Sequence, residues 1–231
     1  MSLEWRFIAD PEVIAALAAG LRLTVVLCLC SAIGSLLVGL TISTMRIAGP
    51  KPLQRAAHLY VLVVRNIPLL IALFFVYFGT VILFPPTNYP LLRTQHLGEV
   101  IATVTISLVM GGFVSEVIRA GVEALPLGQM EAALASGLSS RDAYRHVVIP
   151  QLLPIILPGL SNEMVNVLKG TTMATTISVA ELMYQAQRIE SETFRGVETM
   201  TAVTVMYFAL ACCIFAVFQG LERLFQTPQS R

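Results

Sequence analysis

The chain has 231 residues, of which 56% are hydrophobic and 13% charged, and its formal net charge is +1. The charged share is about half that of a soluble globular domain, and mean hydropathy is +0.77. A near-neutral chain without a basic face excludes a nucleic-acid footprint, and apolar runs longer than core helices need point to an all-α integral membrane protein.

The first twenty residues scatter Glu4, Arg6, Asp10 and Glu12 among apolar side chains. A secretory signal would place a basic start before an apolar core and a small-residue cleavage site, so this N-terminus is expected to stay on the mature protein. Residues 23–45 carry no charge and give a first span over about 20–45. Within it Ser31, Ser35 and Gly39 recur every four residues, the spacing that lets two helix backbones approach in lipid. Cys28 and Cys30 lie here and Cys212 and Cys213 in the last apolar run. With no histidine near them at a metal-ligand spacing they read as buried, inert thiols, and no metal site is expected.

AGPKP (48–52) ends the first span, since Pro and Gly break helices. Residues 67–84 are short for a crossing; residues 56–64 extend them to a second span over about 56–84, with Arg65 snorkelling at the interface. FPPTNYP (84–90) closes it. A third span over about 98–120 includes Glu116 and Arg119, three apart on a helix and so placed to pair. The fourth, over about 149–169, carries Pro150, Pro154 and Pro158 and reads as a proline-interrupted helix. A clean run gives the fifth, over about 199–222.

Between spans three and four lies a polar segment over about 125–150. Residues 129–136 are rich in helix formers. Gly137 stands where a left-handed C-cap falls, and Ser139 or Ser140 can cap a second short helix with Asp142 near its positive end. On that helix Ala143, Tyr144, Val147 and Val148 share an apolar face, Arg141, Arg145 and His146 point elsewhere, and Pro150 ends it. Such a knob suits the membrane surface and equally a groove in a cytoplasmic partner; periodicity leaves both open. With the N-terminus outside, five spans put Arg46, Lys51, Arg55, Arg119, Arg141, Arg145, Arg223 and Arg231 inside, against Arg6, Arg22, Arg93, Arg188 and Arg195 outside. That bias favours N-out and C-in, and a cytoplasmic knob.

EAALASGLSSRDAYRHVVIP (131–150) resembles the cytoplasmic loop signature of permease subunits in bacterial ABC importers, with Glu131, Ala132, Ala133, Gly137, Val147, Ile149 and Pro150 at the signature positions. The likeness extends over nearly the whole chain: VVRNIPLLIALFFVYFG (63–79), GGFVSEVIRAGVEALPLGQ (111–129) and SNEMVNVLKGTTMATTISVAEL (161–182) are similar to the polar amino acid branch. Asn66-Ile67 replaces the branch's Gly-Thr, Phe113 a common tyrosine, and Gly170 a frequent Asp or Asn, departures that bear on the cargo and not on the class. The resemblance implies about five transmembrane helices, with a coupling helix between spans three and four that docks on a separate ATPase, Tyr144 contributing to that contact. It implies as partners ATP-binding-cassette subunits, a second permease subunit (the same chain or a paralogue), an extracytoplasmic amino-acid-binding protein and membrane lipid. The place implied is the bacterial cytoplasmic (inner) membrane. No cofactor is expected in the chain itself; ATP and Mg2+ belong to the partner ATPase, since G-x-x-x-x-G-K-[ST] is absent here.

Ionisable groups at membrane depth cost roughly 2.5–3.5 kcal/mol and invite a partner or a role. Asn162 and Glu163 are candidate acceptors for a cargo ammonium, and Lys169, Thr171 and Thr172 candidate donors to its carboxylate, with Glu116 a further candidate. Glu163 and Lys169 are about 240° apart around a helix and do not share a face; Glu163 reads as a cargo contact or as a packing or gating residue. No catalytic residue is expected: the chain lacks H-E-x-x-H and G-x-S-x-G, and His58, His96 and His146 fall in or near loops. An ATP-independent secondary transporter and an integral-membrane enzyme are the competing readings.

Overall fold

The computed structural model describes residues 4–85, 87–89, 96–126 and 128–225. Leu127, and Arg93 and Arg231 of the charge balance above, lie outside the described residues. Among the described residues there are helices and no strands. A 3-10 turn, Trp5–Ala9, leads into α1, Pro11–Ala48. There Asp10 caps the helix by accepting the Glu12 N–H at 2.9 Å, with Pro11 in the first turn, where its missing N–H is harmless.

α1 has 38 residues and is about 57 Å long, nearly twice the hydrocarbon thickness. It sorts its faces by size. Ser31, Ser35 and Gly39 are buried, while Leu29, Ile33, Leu37 and Leu40 stand exposed on the opposite side, as lipid contact requires. The small face packs on α4, Leu97–Glu123. An added Cβ on Gly39 would lie 2.4 Å from Val114 Cγ1, and one on Gly111 2.4 Å from Val38 Cγ1, so the backbones meet where side chains are smallest.

Between them the second stretch departs from a continuous span. α2, Lys51–Asn66, and α3, Leu69–Leu83, are bent by 105° at Ile67-Pro68. Pro68 disfavours helical backbone in Ile67, which is extended at φ −95°, ψ 126°. α4 is the central element: its most apolar window is 67% buried within the chain, against 6% for α9, Gly196–Phe225. α4 packs on α7, Ile149–Thr171, and α7 on α9, around Ile106, Val114, Leu160 and Val167.

The fourth stretch is longer than expected and unbroken. Pro154 and Pro158 sit inside α7 and Pro150 in its first turn. The expected stop at Pro150 is absent because a π turn, Tyr144–Val148, precedes it and Ile149 N–H donates to Tyr144 O. That wider turn delivers Pro150 to a position where no N–H is needed. The irregularity falls instead at the far end, where α7 tightens into a 3-10 turn, Thr172–Ile177, and Ser178 takes φ 63°. α8, Leu182–Thr193, follows. Among the described residues four helices are long and apolar enough to cross a membrane, five if α2 and α3 make one broken span. Of the thiols only Cys28 is buried; Cys30, Cys212 and Cys213 are exposed, because they fall on the outer faces of α1 and α9.

Candidate functional site

Three side chains of α7 reach one cavity. Glu163, Asn166 and Lys169 line about 470 Å³ closed by Leu69 of α3 and by Met110 and Phe113 of α4. Asn166 Nδ2 donates to Glu163 Oε2 at 3.2 Å, while Glu163 and Lys169 make no ion pair with each other among the described residues. The 240° separation is 120° by the shorter way around, with Asn166 midway, so, against the expectation that the two charges share no face, all three side chains line one cavity. Two positions of departure from the family pattern, Phe113 and Gly170, line the same space. A Cβ on Gly170 would lie 3.0 Å from Leu69 Cδ2, so a larger residue there pushes Leu69 aside.

The other candidates are not brought to it. Thr171 is fully buried and its hydroxyl donates to Leu168 O at 2.7 Å. Thr172 donates to Lys169 O at 2.7 Å. Asn162 is exposed and is not among the lining residues. The reason is common to both threonines: at a helix end a β-hydroxyl finds the carbonyl three residues back before it finds a ligand. Asn166, one of the polar residues that follow the prolines but given no role from the sequence, stands at the spacing of three that brings it beside Glu163.

Glu116 belongs to a neighbouring cavity of about 340 Å³ that shares only Phe113 with the first. Its Oε1 accepts from Arg119 Nη2 at 2.7 Å and Nε at 2.9 Å, and its Oε2 from Arg46 Nη1 at 2.5 Å. Arg65 Nη1 stands 3.9 Å from the same oxygen, and its guanidinium lies 5.3 Å from the Phe113 ring centroid. The pairing of Glu116 with Arg119 is thus part of a hub joining α1, α2 and α4. Arg65, whose side chain is 41% exposed, stands at the edge of this hub with the Phe113 ring beside it.

Glu181 was overlooked. It is fully buried between the 3-10 turn and α8. Its Oε1 accepts from Thr175 Oγ1 at 2.5 Å and Tyr184 N at 2.9 Å, and its Oε2 from Tyr207 OH at 2.6 Å and Thr24 Oγ1 at 3.2 Å. One carboxylate therefore ties α1, the 3-10 turn, α8 and α9. The available signal was an acid amid apolar residues. Its partners lie 157 residues upstream and 26 downstream, beyond any local pattern.

The polar segment forms the expected reversal. α5, Gly128–Ala135, ends in a Schellman motif: Leu138 N–H donates to Ala133 O at 3.2 Å and Gly137 N–H to Leu134 O at 3.0 Å, with Gly137 at φ 87°. Ser139 Oγ then accepts the Asp142 N–H at 3.2 Å and caps α6, Ser140–Ala143. The proposed single apolar face is divided. Ala133, Ala143 and Val148 turn inward and close the knob on itself, while Leu134, Leu138, Tyr144 and Ile149 remain exposed. Glu131, Ala132, Gly137 and Pro150 are exposed and Val147 half-buried.

Several membrane-length helices around a central α4, a charged cavity between them and a knob at the foot of α7 define a multi-pass membrane protein of the transport class. The chain belongs to the family of binding-protein-dependent transport system inner membrane components, whose description matches residues 35–226. It is 33% identical over 190 residues to the probable glutamine ABC transporter permease protein GlnM of Bacillus subtilis (strain 168), covering 82% of this chain and 84% of that one. It is 30% identical over 214 residues to the glutamate/aspartate import permease protein GltJ of Escherichia coli (strain K12), covering 91% and 87%. The fold superposes with TM-score 0.82 and 28% identity on the crystal structure of an amino acid ABC transporter with histidines, over 96% of this chain and 99% of that one. The chain is the inner-membrane permease component of an ATP-driven importer and has no catalytic role of its own. Membership implies an ATPase and a binding protein as partners.

Proposed function

We propose that this permease moves a zwitterionic amino acid or a close analogue, and that Glu163 and Lys169 receive its two charges. The observation that carries this reading is the cavity beside α7, where a carboxylate and an ammonium face one space without neutralising each other. Glu163, steadied by Asn166, accepts the cargo ammonium, and Lys169 donates to its carboxylate. Phe113, Met110 and Leu69 supply the apolar wall against which the side chain of the cargo lies. The amino-acid names of the relatives point the same way.

In this reading the N-terminus faces outward and the knob faces the cytoplasm. Leu134, Leu138, Tyr144 and Ile149 fill a groove in the ATPase, which binds ATP and Mg2+, while Glu131, Arg141 and Arg145 form the hydrated rim. One subunit of four or five spans encloses little, so a second permease chain, identical or paralogous, completes the path.

The test is uptake by the assembled transporter in vesicles supplied with ATP and loaded binding protein. Glu163→Gln removes one charge-assisted contact and is expected to weaken uptake by about tenfold or more, with assembly unchanged. Lys169→Met is expected to do the same. Unchanged uptake kinetics in both variants would return these residues to a packing role.

A further inference from the structure

At the end of the bundle that carries the knob, α1, α2 and α4 leave a second and larger opening. It encloses about 710 Å³ and is lined by Arg46 and Ile47 from α1, by Arg55, His58, Leu59 and Leu62 among the residues of α2, and by Arg119, Val122 and Glu123 from α4. Two features of its lining are unusual together. Three guanidinium groups and an imidazole converge on it, and its rim is aliphatic, with Leu59 60% and Leu62 55% exposed.

The charge does not cancel. Among the described residues Glu123 is the only acid of the lining, and it is held by Arg119. Glu116, behind it, is shared by Arg46, Arg65 and Arg119. Arg55 is exposed and makes no ion pair among the described residues. Four arginines against two carboxylates leave two positive charges. α2 is built for this position. Arg55, His58 and Leu62 fall at spacings of three and four along one stripe, the basic groups in its first half and the leucine beyond them, as in a helix at a lipid interface. The 105° bend after Asn66 keeps that stripe beside the ends of α1 and α4.

We propose that this opening binds the phosphodiester headgroup of an anionic phospholipid from the leaflet on the knob side, with Arg55 and His58 reaching the phosphate and Leu59 and Leu62 lying along the acyl chains. A basic pocket between membrane helices is suited to such headgroups. The aliphatic rim selects a lipid over a free anion, which would gain nothing from it. The proposal rests on the permease reading only for which leaflet supplies the lipid.

The assembled transporter is purified from vesicles of phosphatidylcholine mixed equally with phosphatidylglycerol, and the retained lipid is identified by native mass spectrometry. Both leaflets hold both lipids, so the result does not depend on orientation, on cargo or on ATPase coupling. Phosphatidylglycerol is expected to be retained in preference to phosphatidylcholine. Arg55→Gln is expected to reduce that preference by about fivefold, the contribution of one basic residue near an anionic surface, and Arg55→Lys to keep most of it. Displacement of the lipid by millimolar inorganic phosphate would identify a free-anion site and overturn the lipid assignment. Equal retention of the two lipids, or an unchanged preference in Arg55→Gln, would overturn the site itself.

Discussion

Single carboxylates organise this protein more than their number suggests. Glu116 holds Arg46, whose side chain is only 11% exposed, together with Arg119. An exposed pair is worth at most about 1 kcal/mol, whereas breaking a buried one costs 3–5 kcal/mol. Glu116→Gln is therefore expected to destabilise the protein by about 2 kcal/mol, read as a lower melting temperature in detergent, without altering the cargo cavity. Glu181 presents a different problem, because all four of its contacts are donors. Glu181→Gln keeps one acceptor oxygen for the Tyr184 N–H, while the hydroxyls of Thr24 and Tyr207 must turn to accept from the NH2 group and give up their bonds to the charged oxygen, each such bond being worth about 1.5–3 kcal/mol. The expected result is a melting temperature several degrees lower, with α8 and the 3-10 turn losing protection from hydrogen exchange first. An unchanged melting temperature would mean that the carboxylate is dispensable to packing.

At the scale of elements, close approach and turn chemistry decide the arrangement. Gly39→Leu would drive a side chain into Val114 and towards Ser115 N, 3.1 Å from where a Cβ would stand. Since the second contact is backbone, α1 and α4 must separate. The expected outcome is loss of folded protein from detergent extracts, checked by size-exclusion chromatography.

The small-residue stripe of α1, the cap at Ser139 and the turn at Gly137 were legible in the sequence because each depends on residues within one or two helical turns. The bend between α2 and α3 was equally local, marked by Ile67-Pro68, but was passed over in favour of a continuous apolar length. Pro150 misled for the opposite reason: in the first turn of α7, after the π turn, a proline gives up no backbone bond and so does not end the helical run. The pairing of Glu116 with Arg46 depends on how separate helices pack, which periodicity along one helix does not encode, and so does the wall of Leu69, Met110 and Phe113 beside Glu163 and Lys169. Thr171 and Thr172 carried the right chemistry for cargo, but helix geometry gave their hydroxyls to the backbone.

The whole molecule places its polar features at two ends and one midpoint: the knob with the basic opening, the cluster of Glu4, Arg195 and Glu198 near the N-terminus, and the cavity beside α7. If the knob faces the cytoplasm, a membrane-impermeant thiol reagent in intact cells should label Thr87→Cys and spare Ser140→Cys. Labelling of Ser140→Cys from outside would invert the orientation. If the knob transmits the work of an ATPase to this path, Gly137 offers the sharpest test. Its φ of 87° is costly for any side chain, by about 1 kcal/mol or more and most for a β-branched one, while the space around a Cβ is open. Gly137→Val thus strains the reversal and adds bulk to the docking side without touching the core, whereas Gly137→Asn tolerates the left-handed backbone. The decisive measurement is ATP hydrolysis and cargo uptake, recorded together, by the transporter in vesicles with loaded binding protein. For Gly137→Val the account predicts an inserted permease that has either lost the ATPase or retained it with hydrolysis no longer stimulated, with uptake reduced in both cases and largely restored in Gly137→Asn; normal stimulation with normal uptake in the valine variant would contradict it.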